Sequence, residues 1–301
     1  MNNKMTRFAA KALLCLALAG PAVLPAQIGP TPRAAAEGTG KIAATWMWNT
    51  YAIWRDKDGT LDYLAQNGIN LVYLQADDDI PPDVYRTFIR EAGARGIEVH
   101  ALAGKPDWVL PGHQGELYDF IYWVKAYNNG SRSSERFGGI HLDVEPYVLP
   151  QWQTDRDTLI GYWMDTVSGF AQQVKSDSYL TTGVDIPVWL DGFLVPDGKG
   201  GTTTLTDYII GRFDHITMMA YIDNAEGIVK AVSKELTEAA GKPIVIGVET
   251  MNNYEANSSF YAKGRAAMTS ELGTVVGALS SHPSYGGYAV HEFDSWMRLK
   301  E

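Results

Sequence analysis

The chain of 301 residues contains a single cysteine, and that cysteine lies near its start. Cys15 sits inside a short apolar stretch, and Leu14 precedes it where a lipoprotein acceptor site needs a small residue. Once this stretch is removed on export no cysteine remains, which excludes disulfides, zinc–thiolate centres and cysteine nucleophiles. A protein of this kind has to be held together by its hydrophobic core.

Long apolar runs are also lacking. The stretch Ala12–Ala19 is too short to span a bilayer, and it follows three basic residues. A basic start, a short apolar centre and a tail of small residues and prolines predict a signal peptide and short N-terminal segment over residues 1–36. Cleavage after Ala26 and cleavage after the alanines at 34–36 both fit. We therefore expect a secreted protein, extracellular or in the cell envelope, with no membrane span after removal of the signal.

Positive charge is scarce, with 25 basic residues against 35 acidic ones and a net charge of −10. Loss of residues 1–26 removes three basic residues and no acidic ones, which leaves a charge of about −13. Such a surface repels nucleic acid and anionic lipid. The chain has nine Trp and 16 Tyr, and aromatic side chains near strand ends would suit the apolar face of a sugar. We expect a monomer that binds a carbohydrate substrate and no nucleic acid.

Metal-binding and cofactor-binding motifs are absent from the sequence. The six histidines show neither H-x-H nor H-E-x-x-H spacing, and no glycine-rich phosphate loop follows the first apolar run. The pattern therefore predicts no cofactor and no metal centre. A metal-dependent hydrolase or deacetylase that uses His141, Asp143 and His291 is a minor alternative.

From residue 41 onward, eight short apolar runs alternate with longer segments of helical pattern. Nearly continuous apolar runs are typical of parallel strands buried on both faces. The runs are Ile42–Trp48, Asn70–Asp77, Glu98–Gly104, Gly139–Pro146, Tyr179–Trp189, His215–Asp223, Pro243–Thr250 and Tyr285–Phe293.

This alternation predicts an α/β protein, a single (β/α)8 TIM barrel over residues 41–301. Only Ser295–Glu301 follow the eighth run, so either the barrel lacks a full last helix or residues before 41 cover the gap. An open doubly wound sheet is the alternative fold, and the missing phosphate loop counts against it.

The fourth run carries three ionisable residues at alternate positions. His141, Asp143 and Glu145 share one face of a strand, while the intervening aliphatic residues share the other. Active sites of this fold gather at the C-terminal ends of the strands. Two carboxylates this close push their pKa values apart, so that one stays protonated while the other is ionised. The run therefore predicts acid–base chemistry.

Other runs end in polar or aromatic residues that would meet at the same rim. Glu249 ends the seventh run, and Tyr221 with Asp223 ends the sixth. We predict Glu145, Asp143 and Glu249 as catalytic residues. The predicted substrate-binding residues are Tyr221, Asp223, His141, Trp48, Gln75, Asp185, His291 and Glu292.

The fourth run resembles the D-x-x-D-x-D-x-E signature of family 18 glycoside hydrolases, the chitinases and their relatives. Asp143 and Glu145 match its last two acidic positions, whereas Gly138 and His141 stand at the first two. The M-x-Y element that ends at Tyr221 is similar to a second family motif. The resemblance implies a barrel, a glycan ligand and Glu145 as the acid.

Two departures bear on the mechanism that the resemblance implies. The lost aspartate and His291, which replaces the tryptophan under the family's sugar site, count against attack by a substrate N-acetyl group. A second resemblance, to retaining clan A glycosidases, makes Glu249 the nucleophile, although Val144 stands where that clan has asparagine. The nucleophile is thus Glu249, a substrate acetamido group or water. A non-catalytic, chitinase-like glycan-binding barrel is the alternative function, and the presence of Glu145 favours the enzyme.

Overall fold

A computed structural model describes residues 40–301, so the predicted signal peptide lies outside the described residues. Within residues 40–301, no helix combines the length and the apolar character that crossing a bilayer requires.

Eight parallel strands close into one barrel, and each of the eight predicted runs supplies one of them. An antiparallel hairpin, β6 (Leu194–Pro196) and β7 (Thr202–Thr204), is inserted before the sixth barrel strand and was not predicted. The barrel strands are β1 (Ile42–Met47), β2 (Leu71–Gln75), β3 (Glu98–Ala103), β4 (Gly139–Leu142), β5 (Thr181–Pro187), β8 (His215–Met219), β9 (Ile244–Glu249) and β10 (Tyr285–His291). Their order around the barrel is β1-β10-β9-β8-β5-β4-β3-β2, which confirms the (β/α)8 class.

Helices connect the strands and bury one face each against the sheet. They are α1 (Tyr51–Arg55), α2 (Lys57–Gln66), α3 (Pro82–Ala94), α4 (Gln114–Asn129), α5 (Gln151–Thr154), α6 (Arg156–Lys175), α7 (Leu205–Ile210), α8 (Ala225–Glu238), α9 (Arg265–Leu279) and α10 (Phe293–Met297). Helix α3 begins at Pro82, whose fixed φ suits the first turn, and the chain turns away at Gly96 with φ +76°. The last helix has only five residues, as the short C-terminal segment predicted.

Apolar residues fill the barrel interior at its centre. Trp46 and Tyr73 are its largest buried side chains, and their rings meet edge to face at 5.4 Å. Gly247 leaves room for the Trp46 indole, because an added Cβ there would lie 3.1 Å from the ring. Further around the wall the interior is polar, with fully buried histidines and an aspartate.

The fourth strand is shorter than its run predicted, because regular pairing ends at Leu142. Asp143 nevertheless stays on the barrel wall, where its N–H donates to the carbonyl of Ala103 at 3.1 Å. A Cβ on Gly104 would lie 1.5 Å from the carbonyl oxygen of Asp143, so only glycine permits this approach. The strand end thereby projects the segment that follows it over the barrel mouth.

Candidate active site

Asp143 and Glu145 lie at the mouth, just past the end of β4. The Oδ1 atom of Asp143 is buried, and it has no hydrogen-bond partner among residues 40–301. Burial, followed by the negative charges of Asp185 and Glu145, raises the pKa of Asp143 well above its usual value. Asp143 is therefore the carboxyl that holds a proton in the free site.

Tyr147 holds the carboxyl group of Glu145 in place. Its hydroxyl donates a hydrogen bond to Oε1 of Glu145, and its ring packs against Trp189 at 5.0 Å and Trp163 at 6.1 Å. Burial and then the charge of Glu145 raise the pKa of Tyr147, so the phenol remains a donor. The sequence analysis missed Tyr147, because the chain after Pro146 forms a 3-10 turn in which alternation of strand faces does not apply.

Asp185 and His141 lie deeper in the barrel than Asp143. Asp185 is 1% exposed and His141 is fully buried, so neither can contact a substrate directly. The indole Nε1–H of Trp46 donates to Oδ2 of Asp185 at 2.9 Å. Nε2 of His141 lies 2.9 Å from Oδ1 of Asp185, but an N–H on the ring would not point at that oxygen, so the contact is short without being a hydrogen bond. Burial raises the pKa of Asp185 well above its usual value.

Glu249, His291 and Trp48 form a chain across three adjacent strand ends. Oε1 of Glu249 accepts the backbone N–H groups of Thr250 and Met251, both at 2.7 Å. Oε2 lies 2.9 Å from Nδ1 of His291, and Nε2 of His291 accepts the indole N–H of Trp48 at 3.2 Å. The carboxylate of Glu249 is thus fully used in orienting its neighbours.

The protonation state of His291 is subject to two opposed influences. Burial lowers its pKa, but the hydrogen bond and charge of Glu249, with Asp143 and Glu292, outweigh burial and raise the pKa above 6.5. The bond from Trp48 requires a lone pair on Nε2 and therefore describes the neutral ring. Protonation of His291 therefore requires the indole of Trp48 to turn away from Nε2.

Tyr221 faces the same group of carboxylates. Its ring lies 5.7 Å from that of His291, and its hydroxyl makes no hydrogen bond within the part of the chain that the structure describes. Burial, followed by the charges of Glu249 and Asp143, raises the pKa of Tyr221 well above its usual value. Its phenol is therefore a neutral donor available to a ligand.

The carboxylates of Asp223 and Glu292, two of the predicted substrate-binding residues, are used elsewhere. Asp223 is buried and pairs with Lys263 at 3.0 Å, which ties the end of β8 to the segment before α9. Glu292 accepts the N–H groups of Asp294 and Ser295 and caps α10. Both side chains stabilise local structure, and each of their oxygens already has a partner.

A pocket of about 270 Å³ borders this site. Its lining includes Trp48 and the predicted residue Gln75, together with Trp108 and Trp123. Asp143 and Glu145 are not part of the lining, but Gly104 is, and this residue touches the backbone that carries them. The pocket is therefore an aromatic-walled extension of the site.

Three buried histidines form a second cluster, which the sequence analysis did not predict. One ring nitrogen each of His100, His141 and His215 lies within 4.8 Å of the other two, a grouping that could hold a metal ion. Their positions in the chain follow no metal-binding spacing, because each stands on a different strand. Only closure of the barrel brings them together.

The amino-acid sequence matches no protein-family model and no curated protein. The structure, however, is similar to that of an endo-β-N-acetylglucosaminidase from Cordyceps militaris, with a TM-score of 0.56 and 15% identity over 85% of this chain and 82% of that chain. It is also similar to a GH18 chitinase from Pseudoalteromonas aurantia, with a TM-score of 0.55 and 11% identity over 86% and 98% of the two chains. A GH18 chitinase from Cycas revoluta in complex with (GlcNAc)3 gives a TM-score of 0.52 and 13% identity over 84% and 95%. The predicted resemblance to the family 18 glycoside hydrolases is thus confirmed at the level of the fold.

Proposed function

We propose that the protein is a secreted glycoside hydrolase that cleaves a polysaccharide or an amino-sugar-containing glycan, with Glu145 as the general acid. The observation that carries this proposal is the convergence around the phenol of Tyr221 of four carboxyl groups, those of Glu249, Asp143, Asp185 and Glu145. Such a group, at the mouth of a glycosidase-like barrel beside an aromatic pocket, suits a substrate that develops positive charge during cleavage.

In the proposed reaction, Glu145 takes up the proton that Asp143 holds in the free site and delivers it to the oxygen of the leaving sugar as the glycosidic bond breaks. Glu145 becomes anionic in that step, and the hydrogen bond from Tyr147 stabilises the new charge. The neighbouring residue Asp143 is held in place by the hydrogen bond that its backbone N–H donates to β3. No organic cofactor takes part, because hydrolysis requires only proton transfer and positioning.

Asp143 and Tyr221 suit a substrate that carries an acetamido group. A carboxyl oxygen of Asp143 can accept the acetamido N–H, while the free phenol of Tyr221 can donate to its carbonyl oxygen and direct that oxygen at the anomeric carbon. The family motif has an aspartate where this chain has His141, but Asp185 supplies a carboxyl from β5 that adjoins Asp143. The substrate acetamido group is therefore our preferred nucleophile.

The similar structures support this choice of substrate class. One is a chitinase with a bound N-acetylglucosamine trimer. Another is the fungal endo-β-N-acetylglucosaminidase in a variant whose aspartate and glutamate, two positions apart, are both replaced by amides, bound to fucosyl-N-acetylglucosamine-Asn. Asp143 and Glu145 have the same residue types at the same spacing.

Glu249 fits a positioning role better than that of a nucleophile. Both of its oxygens accept hydrogen bonds, and its side chain is 6% exposed. A nucleophilic carboxylate needs one oxygen that can reach the anomeric carbon. We therefore assign Glu249 to orienting His291 and, through it, Trp48.

Hydrolysis of chitin oligosaccharides, peptidoglycan and bacterial exopolysaccharides by the purified protein tests the proposal. Glu145→Gln should lower kcat by about 10²–10⁴-fold, the usual contribution of general acid catalysis, and should leave glycan binding intact. Glu226→Gln, a change on the exposed first turn of α8, is the matched control and should keep full activity. Near-normal activity in a folded Glu145→Gln protein refutes the assignment. Binding of a glycan that the wild type never cleaves would favour the glycan-binding alternative.

A further inference from the structure

Three histidines from three different strands converge inside the barrel, below the proposed active site. His100 belongs to β3, His141 to β4 and His215 to β8, and each is at most 3% exposed. One ring nitrogen of each lies within 4.8 Å of the other two. Catalysis at Glu145 makes no use of this cluster, so it needs a separate explanation.

Two of the three rings have a carboxylate on the same nitrogen. Nε2 of His100 lies 3.0 Å from Oε1 of Glu98, and Nε2 of His141 lies 2.9 Å from Oδ1 of Asp185. The Nδ1 atoms of His100 and His141 are both buried, and neither has a hydrogen-bond partner within residues 40–301. His100, whose Nε2 is hydrogen-bonded to a carboxylate while its Nδ1 has no partner, has the usual arrangement of a metal-binding histidine.

Two glycines leave room for the three imidazole rings. A Cβ on Gly183 would lie 2.3 Å from Nδ1 of His141 and 2.5 Å from Nε2 of His215, so both atoms border one gap. A Cβ on Gly139 would lie 2.6 Å from Cε1, Nδ1 and Nε2 of His100, so the imidazole ring lies directly over this glycine. Any side chain at these two positions would prevent the rings from converging.

Without a ligand, this cluster is energetically unfavourable. A buried polar atom without a partner destabilises the folded state, and His100 and His141 each have such an Nδ1. Neutral imidazoles with free lone pairs are the form that binds transition metals.

We propose that His100, His141 and His215 bind a divalent transition-metal ion, with Zn²⁺ as the best match, in a structural centre inside the barrel. Nδ1 of His100, Nδ1 of His141 and Nε2 of His215 are the ligand atoms. The hydroxyl of Tyr73, 3.4 Å from Nε2 of His215, provides an oxygen for the fourth position that structural zinc fills. Glu98 and Asp185 partly balance the charge of the ion.

Refolding with defined metals tests this centre without reference to enzymatic activity. The purified protein is unfolded in a denaturant that contains a chelator and is then refolded with Zn²⁺ or Co²⁺. After dialysis, its metal content is measured by mass spectrometry. We expect about one ion per chain, as in structural zinc sites, a higher Tm than the metal-free protein, and the intense visible bands of four-coordinate Co²⁺. His100→Gln and His215→Gln should lose the bound metal. His113→Gln, a change of an exposed histidine, should retain it.

Two results would overturn the proposal. One is a zinc content of the refolded wild-type protein that is no higher than that of the His100→Gln, His215→Gln double variant. The other is a Co²⁺ spectrum identical to that of the free aqueous ion. The spectrum is measured on wild-type protein, so it decides the question even if the glutamine variants fail to fold. Loss of hydrolysis has no bearing on either result, which keeps this test separate from that of the proposed function.

Discussion

Replacement of Tyr147 by phenylalanine isolates one hydrogen bond at the proposed acid. The ring keeps its packing against Trp189 and Trp163, so only the bond to Oε1 of Glu145 is lost. Glu145 is neutral before it donates its proton and anionic afterwards, so the bond strengthens during the reaction. Bonds to neutral groups contribute about 0.5–1.5 kcal/mol and bonds to charged groups about 1.5–3 kcal/mol. The difference of about 1–1.5 kcal/mol predicts a loss of about five- to thirteen-fold in kcat.

Steady-state kinetics on the substrate found by screening should show this loss in kcat with little change in KM, because the bond strengthens only in the transition state. A melting curve of the same variant confirms that the fold is intact. Tyr208→Phe is the matched control, since it removes a part-buried hydroxyl that joins α7 to Ser168 of α6 and makes no contact with Glu145. Unchanged kcat in Tyr147→Phe, or an equal loss in Tyr208→Phe, would refute the role of Tyr147.

Three further predictions concern the barrel interior and the chain of residues around Glu249. Gly183→Ala should lower the free energy of unfolding by about 1–3 kcal/mol, because the added methyl group would overpack against His141. Gly161→Ala, which faces open space on α6, should not lower it, and urea titrations of the two variants compare them. The raised pKa of His291 stabilises the folded state below pH 6.5, and this stabilisation is lost as pH rises through the folded-state pKa. His291→Gln should therefore flatten the plot of unfolding free energy against pH, and an unchanged plot contradicts the assignment. Glu249→Gln should lower kcat by about 10–100-fold, the equivalent of one charged hydrogen bond; restoration of activity by azide would instead identify a nucleophile.

The strands could be predicted because each is buried on both faces and therefore appears as a continuous apolar run. Local spacing also predicted that Asp143 and Glu145 lie close together, and the charge of Glu145 does act on the pKa of Asp143. The same reasoning could not show that β4 stops at Leu142, because the end of pairing depends on how its neighbours diverge. The hairpin of β6 and β7 was missed for a similar reason: its strands have three residues each, too few for a periodic signal.

The contacts between strands were beyond the reach of the sequence. Glu249 was a sound candidate by position, but its engagement with His291 depends on the register of β9 against β10. Asp223 and Glu292 were chosen on their proximity to strand ends, a criterion that does not distinguish a pocket-facing carboxylate from a helix cap or an ion pair. His100 offered no local cue, because its partners lie on β4 and β8.

Asp185 connects the two polar clusters of the barrel. Its Oδ2 accepts the indole N–H of Trp46, its Oδ1 adjoins His141, and its charge helps to raise the pKa of Asp143. Burial of an ionised carboxylate at 1% exposure costs several kcal/mol unless a partner offsets it, which is why burial raises the pKa of Asp185. One indole donor does not offset this cost, and His141 offsets it only when it carries a positive charge or binds one. A metal ion beneath His141 would supply that charge, and it would thereby hold Asp185 in the position from which it supports Asp143. The two proposals are tested separately, but the position of Asp185 gives a physical reason for both clusters to occur in one barrel.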